Sequence, residues 1–401
     1  MLKNFISLLL LCAVFTAQSQ TSDSVSTGAS NVNDVYYSFA NGFVKTRPNA
    51  DWDMAFEITG FTASIIANHA KGILVWQSPY SYAKWTNFDS TNHNTWKKMY
   101  NSPQKWSLGA FNLHNNNNGD PYDLGWGTYD PSTHIVAGDS IFLIKLATGD
   151  FKKLTILSLS AGVYNFKYSN IDGTNEKIGS VDKANYKGKN FGYYSFSLET
   201  SLDREPVGAD WDIVFTKYTD FIPTPYNVAG VWTNKGNLSA EARNVSVNIT
   251  DFSPYRFSDS NSVIGYDWKT YNQSLNQYVI TNNLVYFVKT ADAYWKLVFT
   301  GYKGGASGTY FFNKKAISAS SKSPELTANT VYPNPSNGIL NLKLSPNNSL
   351  VNYKISNISG QTIETGTETS VDISALQSGI YFIQLMTNKG IQNLKFTKST
   401  F

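Results

Sequence analysis

The feature that most constrains the fold is a pair of aromatic motifs that occurs twice in the same order. The first motif is Tyr-Tyr-Ser-Phe, and the second begins Ala-Asp-Trp-Asp and continues with apolar residues. They occupy residues 36–39 and 50–56, and they return at residues 193–196 and 209–215. Trp52 and Trp211 are 159 residues apart, far beyond the roughly 20–50 residues of solenoid repeats. The sequence therefore predicts two whole domains in tandem.

Later segments of the chain also repeat in order, and they indicate strands. An apolar run ending in Lys leads to a strand headed by Lys-Leu, at residues 141–145 and 153–156 and again at residues 285–289 and 296–299. Both repeats are rich in aromatic and β-branched residues, and turn residues recur at short intervals. We therefore expect an all-β protein with two tandem antiparallel β domains, at residues 30–180 and 186–317.

Period-two alternation in residues 51–56 predicts the orientation of the Asp-Trp-Asp motif. It sends Trp52, Met54 and Phe56 to the core face and both aspartates to the opposite face. Two carboxylates on one strand face point the same way, whereas glycoside hydrolysis needs carboxylates that flank the scissile bond. The chain also lacks His-Glu-x-x-His, Gly-x-Ser-x-Gly and phosphate-loop motifs. We predict that the protein is not an enzyme and has no catalytic residues.

The N-terminus has the pattern of a secretory signal peptide at residues 1–19. Lys3 precedes an apolar stretch at residues 5–17, which is shorter than the roughly 18 residues of a membrane-spanning helix. Cys12 is the one cysteine of the chain, and the large Leu11 before it argues against lipid attachment. The exported chain would then have no thiol, which excludes disulfides and cysteine-ligated metals.

Residues 331–401 form a separate C-terminal domain, which follows a small polar linker at residues 318–330. Alternating apolar and polar residues between turn clusters predict a small β-sandwich of about six or seven strands. The segments that resemble the type A sorting domain of type IX secretion cargo are residues 332–338, 340–342, 379–385 and 395–398. This resemblance implies passage through the outer membrane by the type IX secretion machinery. It also implies removal of the domain at the cell surface.

The motifs of both repeats resemble those of the HmuY family, secreted haem-binding proteins of Gram-negative bacteria. The resemblance includes the Tyr-Tyr-Ser-Phe opening, the Asp-Trp-Asp-x-x-Phe strand and the late hairpin, and it extends to closing strands at residues 162–168 and 308–312. It implies two HmuY-like domains. It also implies capture of haem, free or from haem proteins, at the cell surface by axial ligation without turnover.

Haem iron takes axial donors from His, Met or Tyr, and all histidines of the chain lie in the first repeat. The candidate haem ligands are His134, His114, His93 and His69. His134 stands seven residues ahead of the strand at residue 141, and Tyr278 has the same offset in the second repeat. We therefore expect haem in the first repeat, with His134 as the better candidate and no metal beyond haem iron.

Two alternatives to haem capture stay open. Exposed tryptophans would suit a surface glycan-binding or adhesin-type protein. The candidates for such stacking platforms are Trp76, Trp85, Trp96, Trp106 and Trp232. The repeats would otherwise be HmuY-fold modules without haem. A formal charge of +4, without runs of like charge, excludes a nucleic-acid partner.

Overall fold

The computed structural model describes residues 20–112, 120–317, 329–345, 348–388 and 390–400. The chain divides into two compact units, an N-terminal unit at Met1–Ala319 and a C-terminal unit at Ser320–Phe401. The chain is 51% strand and 6% helix, so the predicted all-β class is confirmed. The predicted signal peptide at residues 1–19, His114 and most of the predicted linker lie outside the described residues.

The N-terminal unit contains the strands β1 to β23. They are β1 (Thr21–Ser26), β2 (Asn33–Ser38), β3 (Gly42–Pro48), β4 (Met54–Glu57), β5 (Ile65–Ala67), β6 (Leu74–Ser81), β7 (Lys98–Met99), β8 (Gly127–Asp130), β9 (Ile135–Gly138), β10 (Ser140–Lys145), β11 (Phe151–Ser160), β12 (Val163–Asn170), β13 (Lys177–Asp182), β14 (Phe191–Ser195), β15 (Thr200–Leu202), β16 (Ile213–Phe221), β17 (Pro225–Thr233), β18 (Leu238–Arg243), β19 (Lys269–Asn272), β20 (Gln277–Ile280), β21 (Leu284–Lys289), β22 (Tyr294–Tyr302) and β23 (Thr309–Ile317).

In the described residues of this unit, helical structure is limited to short turns. They are the α-helical turn α1 (Gly304–Ser307) and the 3₁₀ turns Ala29–Asn31, Tyr82–Lys84, His93–Thr95, Lys183–Tyr186 and Gly208–Asp210. In the part of the chain that the structure describes, no helix has the length and apolar character of a membrane span.

The strands of the N-terminal unit form two modules with a similar strand order. The large sheet of the first module has eight strands: six run β13-β12-β11-β10-β6-β7, and β9 pairs with β11 and with β8. The large sheet of the second module has five strands, in the order β1-β23-β22-β21-β18, and β19 and β20 form a separate two-stranded sheet. The small sheets run β15-β14-β4-β5 and β3-β2-β16-β17. The first module is therefore residues 50–204, and the second combines residues 20–49 with residues 205–317.

The N-terminal strands complete the second module. β2 lies beside β16, with Tyr37 opposite Ile213, and β1 pairs with β23 at the edge of the large sheet. In the first module β14 occupies the place of β2, with Tyr193 opposite Ala55. Each Tyr-Tyr-Ser-Phe motif thus pairs with the Asp-Trp-Asp strand of the other repeat.

This pairing crosses the boundary between residues 30–180 and 186–317 that the sequence predicts. The buried cores follow the strands: one cluster lies wholly within residues 54–196, and the other joins residues 25–39 to residues 213–312. A repeat period does not change when its starting point is shifted along the chain. The motifs therefore carry no information about where a module begins.

The aspartates of the repeated motif hold the paired segments together. Asp53 Oδ2 accepts a hydrogen bond from the Phe196 N–H at 2.7 Å, and Asp212 Oδ2 accepts one from the Phe39 N–H at 2.7 Å. Each bond joins an Asp-Trp-Asp motif to the Tyr-Tyr-Ser-Phe motif of the same module. Charge-assisted bonds to backbone N–H groups are among the stronger hydrogen bonds in proteins. These two carboxylates therefore have a structural role.

The tryptophans of this motif face away from the cores, so their predicted orientation is wrong. Met54 and Phe56 lie in the first core, but Trp52 packs with Ala55 and Tyr193 on the opposite face of the small sheet. Strand β4 begins only at Met54, and residues 51–53 bend before it. Period-two alternation does not extend through a bend, which is why Trp52 leaves the predicted face.

The C-terminal unit is a β-sandwich. Its strands are β24 (Thr330–Tyr332), β25 (Ile339–Lys343), β26 (Leu350–Asn357), β27 (Thr362–Gly366), β28 (Ser370–Asp372), β29 (Gly379–Thr387) and β30 (Gly390–Lys398). They form the sheets β24-β25-β28 and β27-β26-β29-β30. Leu340 and Val371 of the first sheet share one core with Ile355, Ile383 and Phe396 of the second.

Candidate functional site

A cleft lies between the small sheets of the two modules. Its cavity volume is about 60 Å³, well below the roughly 300–1,000 Å³ of small-molecule sites, so a ligand can enter only if the lining side chains move apart. Its aromatic lining consists of Tyr36, Trp52, Trp106, Tyr193, Trp211, Tyr218 and Trp232. Both modules contribute to this lining, so the cleft exists only in the paired arrangement.

The two motif tryptophans have the same geometry in the two modules. Trp52 contacts Tyr193 edge to face, with ring centroids 5.1 Å apart, and Trp211 contacts Tyr36 in the same way at 5.0 Å. Asn68 and Asn234 hold the backbone at these positions, because their side-chain amides donate to the Trp52 and Trp211 carbonyls at 2.9 and 2.6 Å. Backbone anchors therefore place both indoles against the cleft.

Trp106 joins the two modules at the cleft. Its loop follows β7 of the first module, and its indole Nε1–H donates to the Thr233 carbonyl of the second module at 2.9 Å. Its ring contacts Phe191 at 5.7 Å and Trp232 at 5.0 Å. Trp106 thus packs against both small sheets at once.

Three indole donors of the cleft are buried without a hydrogen-bond partner. The Nε1 atoms of Trp52, Trp211 and Trp232 have no acceptor among the described residues, and Trp211 is only 2% exposed. The Trp126 indole, by contrast, donates to the Ala63 carbonyl at 2.9 Å. An unpaired buried donor costs about 1–3 kcal/mol. Three such donors beside one cleft mark it as a place where hydrogen-bond acceptors are missing.

Arg204 is the buried cation of the cleft. It is 3% exposed, and its guanidinium donates to Asp34, Asp51 and the Pro48 carbonyl, each at 2.9 Å. Asp34 belongs to β2 of the second module, whereas Asp51 begins the first module. The Arg204 side chain therefore links the two points at which the chain passes from one module to the other. Its positive charge is paired with carboxylates of both modules.

Glu205 is the buried acid of the cleft. Its carboxylate accepts hydrogen bonds from the N–H groups of Asn190 and Phe191 and from the Tyr193 hydroxyl. Burial raises the pKa of Glu205 to about 7, while these hydrogen bonds act in the opposite direction. The carboxyl group is thus already saturated with protein donors.

His69 lines the cleft, but its ring is fully engaged. Its Nδ1 lies 2.7 Å from the Ile73 carbonyl, and its Nε2 accepts a hydrogen bond from the Asn101 N–H at 3.2 Å. Burial lowers the pKa of His69 to about 4. The ring is therefore neutral at physiological pH, with Nδ1–H as the donor. Binding iron at Nε2 would break the Asn101 bond.

Acidification from pH 6.5 to pH 4 is expected to destabilise the N-terminal unit through His69. Because its folded-state pKa of about 4 lies below the ordinary 6.5, the unfolded chain takes up the proton first in this range. The His69 contribution to stability is complete above pH 6.5 and is lost as the pH falls, by on the order of 3 kcal/mol. Glu205, whose pKa of about 7 lies above the ordinary 4.5, changes stability in the opposite direction over part of this range. The His69 effect is therefore the difference between wild type and His69→Gln in urea unfolding at pH 7 and pH 4. Wild type should lose more stability on acidification than His69→Gln; an equal change in the two proteins would contradict the assignment.

The other candidate histidines lie in separate surroundings. His93 is half-buried between the rings of Trp76 and Phe151, with centroids at 5.6 and 5.2 Å. His134 is exposed at the end of the β8–β9 hairpin, and its Nδ1 lies 2.8 Å from the Tyr129 hydroxyl. Within the described ranges, no three His, Cys, Asp or Glu side chains group as a metal site.

Three further potential axial donors of the two repeats are packed. Met54 and Met99 are buried in the first core, so neither thioether is available to a ligand. Tyr278, the counterpart of His134 in the second repeat, is half-buried between Tyr271 and Tyr302, with ring centroids 5.2 and 4.9 Å away.

The predicted tryptophan platforms divide into two groups. Trp76, Trp85 and Trp96 pack on the outer face of the first large sheet, whereas Trp106 and Trp232 line the cleft. Trp52, Trp211 and Arg204 also line the cleft, and none of them was predicted as a site residue from the sequence. For the two tryptophans, the repetition of their motif could have indicated this, because two symmetric halves bring repeated positions together.

Residues 330–399 match the family model of the secretion system C-terminal sorting domain. The C-terminal unit is a sorting domain. The prediction of this domain from the sequence is confirmed. No curated protein matches the chain.

Two solved structures are similar to parts of this chain. A protein from Bacteroides vulgatus ATCC 8482, described as HmuY-like and haem-binding, is 18% identical over 46% of this chain and 93% of its own, with a TM-score of 0.17. Dimeric latent PorU from Porphyromonas gingivalis is 11% identical over 67% of this chain and 32% of its own, with a TM-score of 0.15. Both TM-scores are low, and the candidate site therefore rests on the contacts described above.

Proposed function

We propose that this chain is an exported binding protein that captures a ligand in the cleft between its modules, without chemical turnover. The observation that carries the proposal is the set of three buried, unpaired indole donors of Trp52, Trp211 and Trp232 within an aromatic lining. Aromatic walls with a few convergent polar groups are the usual composition of small-molecule sites. Because both modules line the cleft, capture depends on their pairing.

The sorting domain supports the exported location of this function. Its presence at residues 330–399 supports secretion or display at the cell surface and an interaction with the secretion machinery. The signal peptide at residues 1–19 and the cut after residue 19 stay predictions. A binding protein on the outer surface meets its ligand before any uptake step, so capture alone is a sufficient activity.

Fluorine NMR of protein labelled with 5-fluorotryptophan tests whether the cleft binds ligands. The 10 tryptophans are assigned through single Trp→Phe variants, and the protein is titrated with neutral sugars, haemin and aromatic acids. We expect saturable shifts of the Trp52 and Trp211 resonances with one of these ligands. The Trp96 resonance should stay unchanged, because this ring packs on the outer face of the large sheet. Binding that leaves both cleft resonances unchanged would contradict the proposal.

Haem capture is the second candidate, and His134 favours it. The His134 ring is exposed, and the contact of its Nδ1 with the Tyr129 hydroxyl fixes the ring while Nε2 has no protein partner in the described residues. Metal-binding histidines commonly have one ring nitrogen held in this way while the other binds the metal. His69 and His93 are less suitable, because their rings are buried or half-buried against other residues.

Titration of the mature chain with haemin tests this second candidate. We expect a sharp Soret shift that disappears in His134→Ala and persists in the control His93→Ala, because the His134 ring is exposed whereas the His93 ring is half-buried between Trp76 and Phe151. His114→Ala is included because this histidine was predicted as a ligand. A Soret shift that survives in His134→Ala would exclude His134 as an axial ligand, and no shift in wild type would exclude haem capture.

A further inference from the structure

An open groove lies in the first module, apart from the cleft. Its volume is about 690 Å³, which is within the roughly 300–1,000 Å³ of small-molecule sites. It is bordered by the β10–β11 turn at residues 146–150, by Lys152 of β11, by Tyr168 of β12 and by Phe196. We name it the Phe196 groove.

The second module fills the corresponding space with a tryptophan of its own. Lys152 and Trp295 each stand directly before the repeated Lys-Leu pair. They also share one position in the large sheets, because Lys152 lies opposite Ile144 and Trp295 lies opposite Val288. The Trp295 ring stacks on Phe39, with centroids 5.6 Å apart and 19° between the ring planes. The first module has a lysine in place of this ring.

Phe196 is the counterpart of Phe39 and lacks this cover. Each residue ends a Tyr-Tyr-Ser-Phe motif, and each donates its N–H to a motif aspartate at 2.7 Å. Phe196 is 7% exposed, against 1% for Phe39, and it borders the groove. Tyr168 meets the Phe196 ring edge to face, with centroids 4.7 Å apart. A flat ring in the groove can therefore stack on Phe196 as Trp295 stacks on Phe39.

Lys152 is the cation of the groove without a carboxylate partner. Lys71 and Lys177 each pair with a carboxylate, at 2.6 and 2.9 Å. The half-buried Lys152 donates instead to the neutral side-chain oxygen of Asn170 at 2.5 Å, and its ammonium has further N–H groups to donate. Asp150 is exposed on the β10–β11 turn, where water weakens its charge interactions. The groove therefore favours a ligand with one anionic group beside Lys152.

We infer that the Phe196 groove binds a single aromatic ring that carries a carboxylate, such as an arylacetic acid. The ring stacks on Phe196 in the way that Trp295 stacks on Phe39, and the carboxylate accepts hydrogen bonds from Lys152. The ligand thus supplies the ring that the first module lacks and the counter-charge of the lysine that replaces it. This is a second site, and it goes beyond the proposed function of the cleft.

Calorimetric titration of the mature chain tests the inference. The probes are indole-3-acetate and 4-hydroxyphenylacetate, and tryptamine and tyramine are their counterparts with an amine in place of the carboxylate. We expect at least one acid to bind, and its amine counterpart to bind at least about tenfold more weakly, as expected for the loss of a charge-assisted hydrogen bond. Equal or tighter binding of the amine, or no binding of either acid, overturns the inference.

Variants at residue 152 locate the binding. Lys152→Trp copies the second module and should fill the groove, so binding of the acid should disappear. Lys152→Gln keeps the groove open but removes the charge, and it should weaken binding by about tenfold or more. Lys98→Gln, on β7 and outside the groove, is the matched control and should bind as wild type. Wild-type affinity in both Lys152 variants overturns the inference.

The outcomes separate this site from the cleft. An acid held in the groove should leave the fluorine resonances of Trp52 and Trp211 unchanged, and Lys152→Trp allows the cleft to be titrated with the groove closed. If the acid binds Lys152→Trp as it binds wild type and shifts both resonances, the inference fails and capture in the cleft stands. If binding disappears in Lys152→Trp and no ligand shifts these resonances, the groove stands and capture in the cleft fails.

Discussion

Deletion of residues 20–49 is expected to unfold the second module and to leave the first module folded. The deleted segment contains β1 to β3, and β2 lies in the interior of the small sheet beside β16. It also contributes Val25, Val35, Tyr37 and Phe39 to the second core. Loss of a single large buried side chain costs about 2–5 kcal/mol. Loss of all four would cost about 8–20 kcal/mol on this scale, which matches or exceeds the roughly 5–15 kcal/mol that stabilises a typical domain.

Limited proteolysis and scanning calorimetry measure this effect. In the deletion variant, residues 205–317 should be cleaved rapidly while residues 50–204 stay protected, and one calorimetric transition should be lost. Two fragments serve as a matched pair: residues 50–204 follow the strand pairing, and residues 30–180 follow the repeat but lack β14. We expect cooperative unfolding of the first fragment only. Protection of residues 205–317 in the deletion variant would contradict the assignment of β1 to β3 to the second module.

Replacement of Arg204 by Met is expected to lower the free energy of unfolding by about 3–5 kcal/mol, the range for breaking a buried ion pair from one side. The variant leaves Asp34, which is 5% exposed, without its cation, and it releases the Asp51 carboxylate and the Pro48 carbonyl. Most of this cost arises because the Asp34 carboxylate stays buried without a partner, and the lost attraction to the guanidinium adds less. Urea unfolding of the full chain measures it.

Arg243→Met is the matched control for Arg204→Met. Arg243 also contacts two carboxylates, Glu241 and Asp267, but its side chain is 41% exposed. Exposed ion pairs contribute about 0–1 kcal/mol, so this variant should unfold close to wild type. If both variants lose the same small amount, the Arg204 cluster does not stabilise the pairing of the modules in the way described.

Local sequence patterns were sufficient for the fold class and for the sorting domain. Alternation of apolar and polar residues between turn clusters depends on neighbours in the chain, and the sandwich of the C-terminal unit follows it: Leu340 and Leu342 of β25 are buried on one face. The same kind of local information failed at Trp52, because the alternation was continued across a bend that precedes β4.

The site depended on information that the local sequence does not contain. Arg204 and Asp34 are 170 positions apart in the chain, and neither belongs to a recognisable motif. His69 resembled a haem ligand by residue type alone, and only its contacts with Ile73 and Asn101 show that both ring nitrogens are used. His134 could be selected by its offset, but its contact with Tyr129 required the folded hairpin.

Residue type and spacing along the chain were enough to predict the all-β class, the two-fold repetition of motifs and the sorting domain. Which repeat each strand completes, where the Trp52 and Trp211 indoles point and which charges are already paired became visible only in the fold. A periodic sequence is unchanged by a shift of its starting point, so it does not specify which distant segments pair. Pairing between β2 and β16, which closes the second module, is a contact between distant segments.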